Sequence, residues 1–312
     1  SIPEEIRIRM INDKEHNGTK LTDLEYLDTF IQIVSAFTRG CNKKAIDEEK
    51  FAHIITAQTG AGKTMLRKLI TRSIEKPVII DPDRYKQYRP DVDEIDKDKF
   101  GMLTGIDSYD HRDNLASFAI ENGYDLLYEV APTKGGNLIG VNLQLLAEKG
   151  YILSLNIMAV GDIVSAVGVH TRYEKELEQS KNERDPKPSK LTDLNRHDES
   201  VEAIEEIVKE YNLNNNVSIY IRGNESNEFQ PILIERDDIE YSRLNNFEIY
   251  KKLQESSNRI YIESRQFEYD IEFIKAQMEN RNAPNSQKEQ LAKIEERGQK
   301  IIDEKNRSDY GE

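Results

Sequence analysis

Apolar residues fall along this chain in short runs of the kind that become buried strands, separated by longer stretches with helical spacing. Leu24, Leu27, Phe30, Ile31, Ile33 and Val34 recur at helical intervals and predict an amphipathic helix that ends at Gly40-Cys41-Asn42. The short run over residues 52–57 leads straight into a glycine-rich turn and predicts a buried strand. A helix follows from Lys63, with Leu66, Leu69, Ile70 and Ile74 on one face. The alternation continues with a strand at Val78-Ile79-Ile80-Asp81 and a helix containing residues 115–120. A strand at Asp125-Leu126-Leu127-Tyr128-Glu129, a helix at 141–146 and a strand at 151–160 follow. Strands joined by helical crossovers pair in parallel, and such a sheet is covered on both faces, so the pattern predicts an α/β fold. In these sheets ligands gather at the C-terminal ends of the strands.

Beyond residue 175 the pattern changes. Residues 181–190 are polar and charged, with Pro186 and Pro188, and predict a mobile segment. Val201, Ile204, Ile207 and Val208 restore a helix, and residues 217–221 and 231–234 read as late strands around a turn at Gly223 and Asn224. From Tyr250 onward the chain is mostly charged helix. Ser286 and Glu289, after Pro284, have the spacing of a capping box, and Leu291, Ile294 and Ile301 give a thin apolar stripe. The tail therefore reads as a packing or partner-binding appendage with no chemistry of its own. The expected organisation is a helical lead-in over 1–50, a core domain over 51–240 and a charged helical appendage over 241–312.

Composition narrows the function classes. The chain has 312 residues, 37% hydrophobic and 33% charged, with a formal net charge of −14. That balance argues against a protein built to grip nucleic acid, which needs a basic face. The single cysteine, Cys41, has no partner within the chain for a disulfide, and no Cys/His cluster has zinc spacing. No run approaches the roughly 20 apolar residues of a membrane span. Ser1-Ile2-Pro3-Glu4-Glu5 lacks the basic and apolar regions of a secretory signal, so a cytoplasmic location is expected, with neither nucleic acid nor membrane as partner.

Ala57-Gln58-Thr59-Gly60-Ala61-Gly62-Lys63-Thr64 fits the P-loop pattern, with Ala in place of the usual first Gly. Gly60 and Gly62 let the backbone wrap closely enough for successive N–H groups to point at phosphate oxygens, and the helix from Lys63 adds its positive end. Lys63 is expected to reach the β- and γ-phosphates, and the Thr64 hydroxyl to bind Mg²⁺. The motif lies between a predicted buried strand and an amphipathic helix, its required context. This makes the expected fold a P-loop kinase-like parallel sheet sandwiched by helices, with helical N- and C-terminal additions, binding ATP or GTP.

Asp81 and Asp83 end the second predicted strand. A carboxylate there can accept the proton of an acceptor hydroxyl attacking the γ-phosphorus, and Asp83 is the expected base. The structural alternative is that Asp83 caps a helix starting near Arg84. Glu129 closes the next strand and is a candidate ligand for Mg²⁺-bound water or a sugar hydroxyl. His111, Arg112 and Asp113 read as the start of a helix that could line an acceptor site. Arg172, in Arg172-Tyr173-Glu174, is a candidate phosphate-stabilising cation, or simply the partner of Glu176 one helical turn on. Arg184, Lys187 and Lys190 follow in the polar segment.

Together these residues resemble the zeta toxin family of bacterial toxin–antitoxin kinases over residues 50–200. The resemblance is carried by residues 57–64, by Ile79-Ile80-Asp81-Pro82-Asp83-Arg84-Tyr85-Lys86-Gln87-Tyr88-Arg89-Pro90, by Gly123-Tyr124-Asp125-Leu126-Leu127-Tyr128-Glu129 and by Arg172-Tyr173-Glu174. It implies ATP- and Mg²⁺-dependent phosphorylation of the 3′-hydroxyl of UDP-N-acetylglucosamine, and an antitoxin partner. It also implies that Lys63 and Thr64 are the P-loop pair, Asp83 the base, Glu129 and Asp113 acceptor-sugar ligands, and Arg172 the first phosphate-stabilising arginine. The family's second arginine falls at Lys190, which keeps the charge and loses the bidentate fork, with Arg184 and Arg196 as alternative carriers. Val130-Ala131-Pro132-Thr133 and Asp113 also depart from the family pattern, and both lie on the acceptor side. Three further readings stay open: a P-loop kinase of another small hydroxyl compound, a P-loop NTPase that drives a partner protein, and a nucleotide-dependent binding or scaffold protein.

Overall fold

The computed structural model describes residues 2–17, 21–95, 100–130, 132–133, 135, 138–182, 190–214 and 216–311. In chain order the elements are α1 (Glu4–Asn17), α2 (Asp23–Thr38), β1 (Lys50–Thr56), α3 (Lys63–Ser73), β2 (Val78–Ile80), α4 (Phe100–Glu121), β3 (Leu126–Val130) and α5 (Leu143–Glu148). They continue with β4 (Tyr151–Met158), α6 (Asp162–Ser180), α7 (Leu194–Glu210), β5 (Val217–Ile221), β6 (Ile232–Leu233), α8 (Asn246–Glu263), α9 (Gln266–Asn280) and α10 (Asn285–Asp309). The predicted alternation of strand and helix is thus realised as an α/β fold. Two compact units divide it: Ser1–Ile55 with Arg67–Val130 and Leu138–Leu155, and Thr56–Leu66 with Ala131–Asn137 and Asn156–Glu312.

In the first unit the strand order is β2-β3-β1-β4. β2 and β3 run parallel, with Val78 opposite Leu126 and Ile80 opposite Tyr128. These strands are short and buried, which suits near-continuous apolar runs in a parallel sheet. α2 opens with a capping box in which the Glu25 amide donates to Thr22 Oγ1 at 3.2 Å and the Thr22 amide donates to Glu25 Oε2 at 2.8 Å. Its buried face differs from the predicted one. Tyr26, Phe30 and Ile33 are buried, whereas Leu24 is 69% and Ile31 50% exposed. The reason is tertiary: the Tyr26 ring stacks on His111 and its hydroxyl donates to Asp110 at 3.0 Å, which fixes the rotation of the helix.

A second difference concerns α4. His111, Arg112 and Asp113 lie inside this helix, not at its start. The stretch ahead of them is rich in glycine and polar residues, and so lacks the periodicity that would have extended the predicted helix.

In the second unit, β4 pairs with β5 and β5 with β6. β6 is antiparallel to β5, with Tyr220 opposite Leu233, because the connection between them is too short for the crossover that parallel pairing needs. The thin stripe of the C-terminal helices is completed by other elements. Leu291 and Ile294 of α10 and Ile271 and Ile274 of α9 share one core cluster with Ile163 and Val167 of α6. Gly298 lets α10 approach closely, since a Cβ there would lie 2.2 Å from the Phe267 ring. The expected capping box at Ser286 and Glu289 does not form. α10 starts at Asn285 with Pro284 at its N-cap, and no side chain bonds there, because proline at the boundary sets the entry by its fixed φ.

Candidate functional site

The P-loop belongs to the second unit. It leaves the end of β1 and enters α3, so Lys63 and Thr64 occupy the first helical turn, where backbone N–H groups have no intrahelical partner. Gly60 and Gly62 have φ of +83° and +102°, the left-handed region that an L side chain resists. Gly60 is constrained twice over, for a Cβ would sit 2.2 Å from the Ser165 carbonyl oxygen on α6. Gly168, one turn further along α6, is close as well, for a Cβ there would lie 3.0 Å from the Gly60 carbonyl oxygen. The two glycines therefore allow α6 to lie directly against the loop.

Gln58 is buried and its side chain turns inward. Its amide nitrogen donates to the Val160 carbonyl at 2.8 Å and toward Ser165 Oγ at 3.4 Å, so the side chain anchors the loop and leaves its backbone for phosphate. Ala61 is fully buried, whereas Thr59, Gly60, Gly62 and Lys63 are partly exposed and Thr64 is exposed. Mg²⁺ arriving with a triphosphate takes most of its ligands from phosphate and water, so a single hard hydroxyl such as that of Thr64 suits it.

One cation beside the loop went unrecognised in the sequence. Arg222, just past β5, donates from Nε to the Ala61 carbonyl at 3.3 Å and from Nη2 to the Gly60 carbonyl. It ties down two carbonyls of the loop and so restrains the loop backbone. Arg222 lies 161 residues from Ala61 in the chain and carries no motif, so no local signal marks it. Arg172 is exposed on α6 and pairs loosely with Glu176, Nε to Oε1 at 3.6 Å, the structural alternative anticipated for it. It lines a cleft of about 710 Å³ that Arg222 also lines. Lys190 is exposed ahead of α7, and Arg196 is exposed on that helix. Arg184, Lys187 and the greater part of the predicted mobile segment lie outside the described residues.

Glu174, next to Arg172 and Tyr173, has a structural role. Buried at 2% exposure, it is gripped by Arg281, whose Nη2 lies 2.6 Å from Oε1 and whose Nε lies 3.0 Å from Oε2.

The acidic candidates belong to the first unit. Asp81, not Asp83, does the capping: its Oδ1 accepts the Asp83 amide at 3.1 Å at the start of the 3-10 turn Pro82–Arg84. This leaves the Asp83 carboxylate exposed, with Lys86 Nζ 2.9 Å away. Glu129 lies within β3, one residue before its end, and is largely buried. The β2–β3 register places it beside Asp81 on adjacent strand ends. Two arginines, neither predicted, serve this acidic pair. Arg67 Nε is 2.5 Å from Glu129 Oε1, and Arg84 lies 3.3 Å from Asp81 and 4.0 Å from Glu129. Asp113 is exposed at mid-helix and accepts from Arg112 Nε at 2.8 Å. With Arg9, Ser117, Gly140 and Asn142 it lines a cleft of about 360 Å³. His111 faces the interior instead, stacked on Tyr26 and Phe30, and burial holds its pKa down at about 4.

Comparison with known proteins identifies the family. Residues 37–232 match the sequence model of the family described as "Zeta toxin". "Toxin zeta" of Streptococcus agalactiae is 30% identical over 192 residues, 58% of this chain and 62% of that protein. "Toxin zeta" of Enterococcus hirae is 32% identical over 169 residues, 51% of this chain and 54% of that protein. The chain thus spans less than two thirds of the length of these relatives. A solved structure of the PezAT chromosomal toxin–antitoxin system of Streptococcus pneumoniae superposes with a TM-score of 0.58 at 18% identity. The match covers 82% of this chain and 98% of that one, and it shows a shared fold. The family match spans more than half of the chain, and the chain belongs to the zeta toxin family.

Proposed function

We propose that this zeta toxin family member is a kinase that uses ATP or GTP with Mg²⁺ to phosphorylate a hydroxyl of a UDP-amino-sugar, the 3′-OH of UDP-N-acetylglucosamine, and that it acts as a toxin. The observation that carries the reading is the P-loop itself, with Gly60 and Gly62 in left-handed backbone at the head of α3, inside the segment that matches the family. In the proposed reaction the acceptor oxygen forms a bond to the γ-phosphorus as the bond to the β–γ bridging oxygen breaks. The hydroxyl proton passes to the Asp83 carboxylate, which its exposure leaves open to an acceptor. Lys63 and Arg172, with Lys190, supply positive charge to the phosphoryl oxygens, and Glu129 and Asp113 bind the sugar. The names of its relatives support a toxin blocked by an antitoxin protein.

A second acceptor, another small hydroxyl compound, is favoured by one observation. Glu129 is already paired with Arg67, so a sugar hydroxyl would have to compete for that carboxylate. Mass spectrometry on the protein incubated with ATP, Mg²⁺ and a panel of UDP-sugars, nucleosides and other hydroxyl compounds separates these readings. A single added phosphate on UDP-N-acetylglucosamine, lost in Asp83→Ala, is the expected result. Phosphate on a different compound would replace the acceptor. ATP hydrolysis with no phosphorylated product would replace the kinase reading by that of a partner-driving NTPase.

A further inference from the structure

The C-terminal helices lie beyond the segment that matches the family, yet they help to form the cleft beside the P-loop. α6 supplies one wall through Thr171 and Arg172, the turn after β5 supplies Arg222 and Phe229, and α8 and α9 supply Tyr261 and Asp270. Arg222 links the cleft to the loop, because it lines the cleft while donating to the Gly60 and Ala61 carbonyls. Three features inside it are unlike a merely solvated surface.

First, Phe229 is 59% exposed and holds φ of +60°, a backbone conformation that bulky L residues avoid. Its turn is well tied. The Asn224 amide donates to Asn227 Oδ1 at 2.9 Å, and Asn227 Nδ2 donates to the Gln230 carbonyl at 2.7 Å. An aromatic ring is therefore presented to solvent from a braced, strained turn. Second, the Asp270 carboxylate is pre-oriented by donors from both sides, the Tyr261 hydroxyl at 2.6 Å and Gln266 Nε2 at 2.9 Å, with acceptor capacity left over. Third, the Thr171 hydroxyl is buried and makes no hydrogen bond among the described residues.

We propose that this cleft is the nucleoside pocket of the bound triphosphate, with the Phe229 ring as the stacking face for a purine base and Asp270 as the acceptor for its hydrogen-bond donors. The inference rests on the P-loop reading and extends it. Arg222 braces the loop that takes the phosphates, and Phe229, seven residues further along the same turn, takes the base. Asp270 of α9 accepts from amino, imino or ribose hydroxyl groups. The C-terminal helices thereby become part of the nucleotide site instead of an appendage.

Calorimetry with Mg-ATP, Mg-GTP and inorganic tripolyphosphate tests this on the full chain. Phe229→Gly removes the ring and also relieves the left-handed strain, so the variant folds at least as well and its Tm rises. It is expected to weaken ATP and GTP binding about tenfold, the scale of one lost base–aromatic stack, with tripolyphosphate affinity unchanged. Asp270→Asn is expected to lower affinity for the nucleotides several-fold and again to spare tripolyphosphate. Unchanged nucleotide affinity in Phe229→Gly overturns the proposal, and so does an equal loss for tripolyphosphate. A wild-type protein that binds none of the three probes would overturn the P-loop reading and the pocket with it.

Discussion

Ser165 Oγ lies 2.7 Å from Nε2 of His197, and His197 Nδ1 lies 3.1 Å from Asp198 Oδ1. The order of groups is that of a hydrolase triad, but Ser165 is fully buried and no substrate can reach it. Burial lowers the pKa of His197, so the ring is neutral: Nδ1–H donates to Asp198 and Nε2 accepts the Ser165 proton. Ser165 in turn lies 3.4 Å from the Gln58 amide, and Asp198 accepts from both Nη1 and Nη2 of Arg297, at 2.9 and 2.6 Å. An unbroken series of hydrogen bonds, converging on the Asp198 carboxylate, thus joins α10 to the P-loop. Ser165→Ala would leave His197 Nε2 buried without a donor, at a cost of about 1–2 kcal/mol. The measured outcome should be a Tm lower by several degrees and weaker ATP binding, with Ser165→Thr closer to wild type.

Gly60→Ala should be far more damaging than an ordinary glycine substitution. The new methyl would meet the Ser165 carbonyl at 2.2 Å while the backbone stays at φ +83°, so either the loop or α6 has to move. The left-handed strain alone costs about 1–2 kcal/mol. ATP binding followed by calorimetry should fall at least tenfold, with a clear loss in Tm.

Arg281→Ala would strand the Glu174 carboxylate, whose side chain is 1% exposed. Breaking one side of a buried pair costs about 3–5 kcal/mol, because the remaining charge keeps its desolvation penalty. Urea unfolding should show that loss. Adding Glu174→Gln to Arg281→Ala should recover a large part of it, since the double variant buries no unpaired charge.

Acid should destabilise the fold partly through His111. Its pKa is about 4 in the folded protein against an ordinary 6.5, so between those values the unfolded chain binds the proton and the folded one does not. Its contribution is fully present above pH 6.5 and is lost as pH falls toward 4, amounting to about 3 kcal/mol. His170 is held down at about 4 for the same reason and adds to the slope. His111→Phe keeps an aromatic ring between Tyr26 and Phe30, and the Nδ1 it removes makes no hydrogen bond among the described residues. Urea titrations from pH 7 to pH 4 should show a flatter stability profile for this variant.

What the amino-acid sequence determined by itself is what depends on neighbours in the chain. The P-loop is a run of eight consecutive residues whose backbone N–H groups act together, so Gly60, Gly62, Lys63 and Thr64 are legible with no tertiary information. The strands at residues 52–57, 78–81, 125–129 and 151–160 are legible for the same reason, as contiguous apolar runs. Only the tertiary structure decided the rest. Arg222 reaches Gly60 across 162 residues, and Arg281 reaches Glu174 across 107. Neither sits in a local pattern, because a guanidinium at the end of a long side chain takes its partner from whatever the fold brings near. The inward face of α2 was likewise settled by His111 on α4, against an apolar count that favoured Leu24 and Ile31. Hydrophobic periodicity records that a helix has a buried side, but the rotation of that side depends on which rings and hydroxyls wait opposite it, and those come from distant parts of the chain.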